Sequence, residues 1–163
     1  MKGSKKLVTI LTIFGVKDIS DHETILKRLE QGTDVNTIDS GGRTLLMEAV
    51  IQRDHDLVDL LVDRGADVTI RDRREWTALH FAAQEYDAAA TKQLLLYGAD
   101  ANARDDYGNT VIATAVLNSL GRGDVIQVLL THGADASVEN QSGISALGLA
   151  KNISNYNTVQ FLE

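Results

Sequence analysis

The tripeptide Gly-Ala-Asp returns three times in this chain, at Gly65-Ala66-Asp67, Gly98-Ala99-Asp100 and Gly133-Ala134-Asp135. A degenerate copy, Gly32-Thr33-Asp34, lies upstream, so successive glycines stand 33, 33 and 35 residues apart. A fixed period of this length is the mark of one supersecondary unit reused along a stack. An aliphatic pair precedes each copy: Leu60-Leu61, Leu94-Leu95 and Leu129-Leu130, with Arg28-Leu29 in the degenerate one. After each come Asp or Asn, a turn, and a capping residue with an apolar pair. These read Thr44-Leu45-Leu46, Thr77-Ala78-Leu79, Thr110-Val111-Ile112 and Ser145-Ala146-Leu147.

The physics of such a unit is helix, turn, helix, loop. The Thr or Ser hydroxyl is placed to cap a first helix, answering its orphan N–H groups. Ala49, Ala82, Ala115 and Ala150 are small enough to let neighbouring helices approach. The Leu pair turns a second helix inward, and Gly ends it in a left-handed conformation. Asp or Asn then opens an extended finger toward the next unit. One unit alone cannot bury its apolar face, so neighbours have to stack.

The motif Asp-x-x-Gly-x-Thr-x-Leu-His-x-Ala followed by Leu-Leu-x-x-Gly-Ala-Asp resembles the ankyrin repeat family, most closely from Asp72 to Arg104 with its Thr77-Ala78-Leu79-His80. The resemblance covers essentially the whole chain. It implies an all-α fold, an ankyrin-repeat solenoid of stacked helix-turn-helix units with β-hairpin-like finger loops. There are departures. No Thr-x-Leu site carries Pro, a residue pre-set for the first helical position. Glu75 takes the usual turn-glycine place, so that finger is expected to turn differently. The copy from Asp105 has two extra residues within Ser119–Gly123.

Taken in register, the units are expected at 5–38, 39–71, 72–104, 105–139 and 140–163, all within one domain. A first-unit helix is expected over 11–20, with a partner over 21–30. The basic start (Lys2, Lys5, Lys6) and the apolar run Leu7–Phe14 also resemble a secretory signal, but no small-x-small cleavage site follows. A capping helix is therefore favoured, and cytoplasmic placement over export. The last unit is expected to be incomplete, with 157–162 opening its second helix.

Composition bounds the function. At 163 residues and 44% apolar, the chain can build a core. The absence of Cys excludes disulfides and thiolate metal sites. A net charge of −7 argues against nucleic acid as the default partner. The four histidines each have a scaffold reading. His80 fills the family's Thr-x-Leu-His position, where a histidine hydrogen-bonds between loops. His22 and His55 are one period apart, and His132 precedes Gly133 at a helix end. Asp100–Asp105 lacks the glycine and bidentate Glu of a calcium loop, and Gly121-Arg122-Gly123 follows a helix instead of a strand. No catalytic residue, metal or cofactor is expected.

A partner surface follows from the family resemblance, in which finger tips and the exposed side of the first helices form a concave face. Here those positions are Ser40, Gly41, Arg43, Ile51 and Gln52. They continue through Arg71, Arg73, Arg74, Trp76, Phe81, Gln84 and Glu85 to Arg104, Asp106, Tyr107, Asn109, Leu117 and Asn118, then Gln141, Ser142 and Ile144. The residues expected to bind are Arg43, Arg71, Arg73, Arg74, Trp76, Phe81, Gln84, Glu85, Asp106, Tyr107 and Asn109. Trp76 is the chain's single Trp and its slot is expected to be exposed, with three arginines around it. Aromatic and Arg side chains dominate binding energy at interfaces. The function expected is a non-catalytic protein-interaction module, monomeric and without a membrane. The partner is another protein with a basic or amphipathic surface, acidic or amphipathic where it meets the arginine finger. The alternative is an acidic inhibitor, immunity protein or antitoxin blocking a basic toxin or enzyme. Nucleic-acid binding through Arg71–Arg74 is a third class.

Overall fold

The computed structural model describes residues 9–153 and 157–163. Lys2, Lys5, Lys6, Leu7 and Val8 of the apolar amino-terminal run lie outside the described residues, as do positions 154–156. Among the described residues the helices are α1 (Ile10–Phe14), α2 (His22–Glu30), α3 (Leu45–Ile51), α4 (His55–Asp63), α5 (Ala78–Gln84), α6 (Ala88–Leu96), α7 (Val111–Asn118), α8 (Asp124–Thr131) and α9 (Ala146–Asn152). A 3-10 helix, Thr158–Phe161, closes the chain.

The helices stand in two layers. First helices α3, α5, α7 and α9 pack side by side, and second helices α4, α6 and α8 form the layer behind them. Leu46, Leu79, Ile112 and their partners Leu61, Leu94 and Leu129 are fully buried between the layers. Each such side chain contributes about 1.5–3 kcal/mol by leaving water. Ala49, Ala82, Ala115 and Ala150 are likewise buried where the first helices meet.

Capping explains where the first helices begin. Thr44 Oγ1 accepts from the Met47 N–H at 3.2 Å, and Ser145 Oγ from the Gly148 N–H at 3.1 Å. Thr77 forms a reciprocal capping box with His80. Thr110 departs from the expectation, since its side chain makes no cap bond.

Fingers join one unit to the next. In each, a carboxylate or amide oxygen stitches the turn. Asp39 Oδ1 accepts from Gly41 and Arg43, Asp72 Oδ1 from Arg74 and Trp76, Asp105 Oδ1 from Tyr107 and Asn109, and Asn140 Oδ1 from Ser142 and Ile144. The fingers then bond to one another through the backbone: Arg73 N–H to Gly41 O, Asp106 N–H to Arg74 O, and Gln141 N–H to Tyr107 O, each 3.1 Å.

Two expectations need correction. Glu75 does not redirect its finger. With φ +60° it adopts the left-handed conformation of Gly42 (+81°), Gly108 (+78°) and Gly143 (+72°), and the hairpin bonds Asp72 N–H to Trp76 O and Glu75 N–H to Asp72 O match those of the other fingers. The first helix is shorter than the register implies. Gly15, at φ +70°, ends α1 after five residues, with Val16 N–H bonded to Leu11 O and Gly15 N–H to Thr12 O. Ile10 and Phe14 are nonetheless buried in the core. The last unit's second helix is a single 3-10 turn.

Candidate partner-binding face

First helices are flanked by their neighbours and backed by the second helices, so their open side and the finger tips form one continuous wall. The period places equivalent residues in rows along it. Ser40, Arg73, Asp106 and Gln141 form one row, and Gly41, Arg74, Tyr107 and Ser142 the next. Arg43, Trp76, Asn109 and Ile144 form the row nearest the helices.

The residues picked from sequence divide into three groups. Some belong to the scaffold. Arg71 Nη1 donates to the Arg104 carbonyl at 2.7 Å and to the Glu75 carbonyl at 3.3 Å, and its guanidinium lies 3.8 Å from the Glu75 carboxylate. Arg104 repeats the device, donating to the Glu139 carbonyl at 2.6 Å. Asn109 is held between Asp105 Oδ2, at 3.1 Å, and the Asn140 amide, at 2.7 Å. Phe81 has to be corrected outright: it is 1% exposed and offers no surface. Trp76 at 5.2 Å and the Arg43 and Arg74 guanidinium carbons at 5.4 and 5.6 Å cover its ring.

Trp76 forms the second group with Arg74. It is half-buried where an exposed slot was expected, and packs on the core. Its ring stacks on His80 at 5.7 Å and meets the edge of Phe81 at 5.2 Å. Arg74 covers it, with the guanidinium carbon 4.2 Å from the ring centroid and Nε 3.4 Å from Asp72 Oδ2. A cation over Trp is worth about 0.5–1 kcal/mol at an exposed site. The tryptophan therefore stiffens an arginine and leaves that arginine at the surface.

The third group is exposed or, for Arg43, Gln84 and Glu85, half-buried. Arg73 is exposed, and among the described residues its side chain has no ion pair. Arg43 lies over Phe81 at 5.4 Å, also without a carboxylate partner among the described residues. Arg43, Arg73 and Arg74 line one open cleft between adjacent fingers, together with Asp39 and Asp72. Asp106 is exposed and Tyr107 is 67% exposed. Gln84 donates to its neighbour Glu85 at 3.2 Å, both half-buried. Sequence reasoning placed Leu117 and Ile144 on the wall without choosing them as contacts, yet they are 58% and 39% exposed. Their register was the available signal.

His80 lies beneath this face and is fully buried. Burial drives its pKa down to about 4, against the opposing pull of the Asp105 carboxylate. The Thr77 N–H donates to Nδ1 at 3.2 Å, which leaves the ring proton on Nε2. His22 and His55 likewise serve the stack: they bond at 2.6 and 2.7 Å to Asp54 and Asp87, the N-caps of the next second helices.

A two-layered stack of capped helix pairs with bonded fingers is the architecture of a repeat protein whose wall, not a closed cavity, is its accessible surface. A family model for ankyrin repeats (3 copies) matches residues 13–105, 46–141 and 79–162. The chain belongs to the ankyrin repeat family. Among curated proteins it is 45% identical over 85 residues to Zygote-specific protein 3 of Chlamydomonas reinhardtii, a match spanning 52% of this chain and 23% of that one. It is 40% identical over 70 residues to the 2-5A-dependent ribonuclease of Mus musculus, spanning 42% and 9% of the two. A chain of Treponema pallidum (strain Nichols) described as ankyrin repeat-containing is 40% identical over 72 residues, spanning 43% and 23%. The matches thus cover less than a quarter of each relative's length. Ankyrin repeats are generally protein–protein interaction modules without catalytic activity. Among the described residues, no helix is long and apolar enough to cross a membrane.

Proposed function

We propose that this chain is a non-catalytic, monomeric binding module, one repeat domain that holds another protein against its finger and first-helix wall. The observation that carries the reading is the Arg74–Trp76 stack beside Arg73 and Tyr107. Positively charged and aromatic groups are held there at the surface by a rigid scaffold, the arrangement typical of interface anchors. The arginines favour this over an inhibitor of a basic protein, whose charge they would repel, despite the net charge of −7.

The test begins by isolating a stoichiometric complex from the native source. Trp76→Ala combined with Arg74→Ala should then weaken binding by at least about 2 kcal/mol. Because Trp76 is half-buried, Arg73→Ala with Tyr107→Ala gives a second variant at exposed positions. Unchanged affinity in both folded variants would remove this face from the account.

A further inference from the structure

Polarity changes along the wall. At one end, the cleft between the fingers 39–43 and 72–76 presents Arg43, Arg73 and Arg74. The carboxylates beside them are already engaged. Asp39 Oδ1 holds two finger N–H groups, and Asp72 holds two more plus the Arg74 guanidinium. Glu75 pairs with Arg71. Arg43 and Arg73 are therefore left without a carboxylate partner among the described residues, in a molecule whose net charge is −7. At the other end, three large apolar or aromatic side chains are exposed among polar ones such as Gln141 and Ser142: Tyr107 at 67%, Leu117 at 58% and Ile144 at 39%. Leu117 and Ile144 are large apolar groups in contact with water, where the unit before carries Gln84 and Asn109. Asp106, exposed beside Tyr107 on the finger 105–109, repels a carboxylate at that end.

Resting on the reading above, we propose that the wall takes a polypeptide segment with carboxylates at one end and large apolar side chains at the other. Its acidic end lies in the Arg43–Arg73–Arg74 cleft and its apolar end over Tyr107, Leu117 and Ile144. The two ends fix the segment's direction along the stack. A segment of reversed polarity puts carboxylates on Leu117 and Ile144 and leaves apolar groups over the arginines. Charge complementarity also steers the encounter, so binding weakens as salt rises.

A random peptide library displayed on phage and selected against the full chain tests this. Enriched peptides are then synthesised and titrated at low and high salt. Their footprints are mapped by hydrogen exchange, and a polyuridine oligonucleotide is run beside them. Enriched sequences should carry Asp or Glu at one end and large apolar residues at the other. Arg73→Glu should weaken them by about tenfold or more, with affinity recovered when Lys replaces the peptide's acids. Leu117→Ser should weaken them without changing their salt dependence. No enriched binder, no acidic bias, indifference to Arg73→Glu, or tighter binding of polyuridine would each overturn the inference. A footprint on the fingers and first helices without charge preference would defeat this inference and leave the proposed function standing. A footprint on α4, α6 and α8 would defeat both.

Discussion

Two residues show how the scaffold manages local strain and charge. Glu75 is a non-glycine residue held at φ +60° in a slot that the other three fingers fill with glycine. The left-handed conformation costs an L-residue about 1–2 kcal/mol, and its exposed ion pair with Arg71 offsets little of that. Glu75→Gly should therefore raise stability by about 1 kcal/mol in urea denaturation. A loss would mean that the Arg71 pair outweighs the strain. His80 carries the pH dependence. Folding lowers its pKa from 6.5 to about 4, so between those values the unfolded chain binds more protons. Stability is thus fully present above pH 6.5 and falls as pH drops toward 4, by on the order of 3 kcal/mol. Denaturant titrations at successive pH values should show that slope, and His80→Gln should flatten it. The sequence marked both residues as departures or motif members. It did not reveal that Glu75 keeps the glycine geometry, because backbone bonds from Asp72 and Trp76 impose that turn on whatever side chain sits there.

At the scale of elements, the period itself exposes a missing contact. Asn36 donates to the Gly65 carbonyl at 3.2 Å and accepts from the Asp67 N–H at 2.8 Å. Asn102 does the same with Gly133 and Asp135, at 2.9 and 2.8 Å. Thr69, in the equivalent position between them, bonds only to Asp67 beside it. Thr69→Asn should bridge to Gly98 and Asp100 and raise the unfolding free energy by about 1 kcal/mol. No gain in a thermal melt would count against the ladder's being a source of stability. The two extra residues of the fourth unit also find a use. Arg122 stacks over Tyr86 at 4.2 Å, and its carbonyl accepts the Tyr86 hydroxyl. A Cβ added at Gly123 would come within 2.4 Å of the Phe161 ring. Gly123→Ala should therefore loosen the closing 3-10 helix and cost about 1–3 kcal/mol, seen as faster hydrogen exchange over 158–162. Exchange rates equal to those of the parent would contradict that packing. The insertion was legible as two surplus residues. Its contacts were not, since they link segments with no shared pattern.

For the molecule as a whole, the 33-residue register carried most of the fold into view. It located the helix pairs, the caps and the fingers, because each unit meets mainly its neighbours and local pattern is tertiary structure in such a stack. It failed in the first unit, where Gly15 in the left-handed conformation stops α1 after five residues. The face was less legible. Register put Phe81, Arg71 and Asn109 on the wall, yet burial takes the first and inter-finger hydrogen bonds take the others. The central claim is that the wall of fingers and first helices is where a partner sits, and hydrogen exchange on the purified native complex tests it most directly. Binding should slow exchange in the fingers at 39–43, 72–76 and 105–109 while α4, α6 and α8 stay as they are in the free chain. Protection confined to those second helices, with the fingers unchanged, would contradict it.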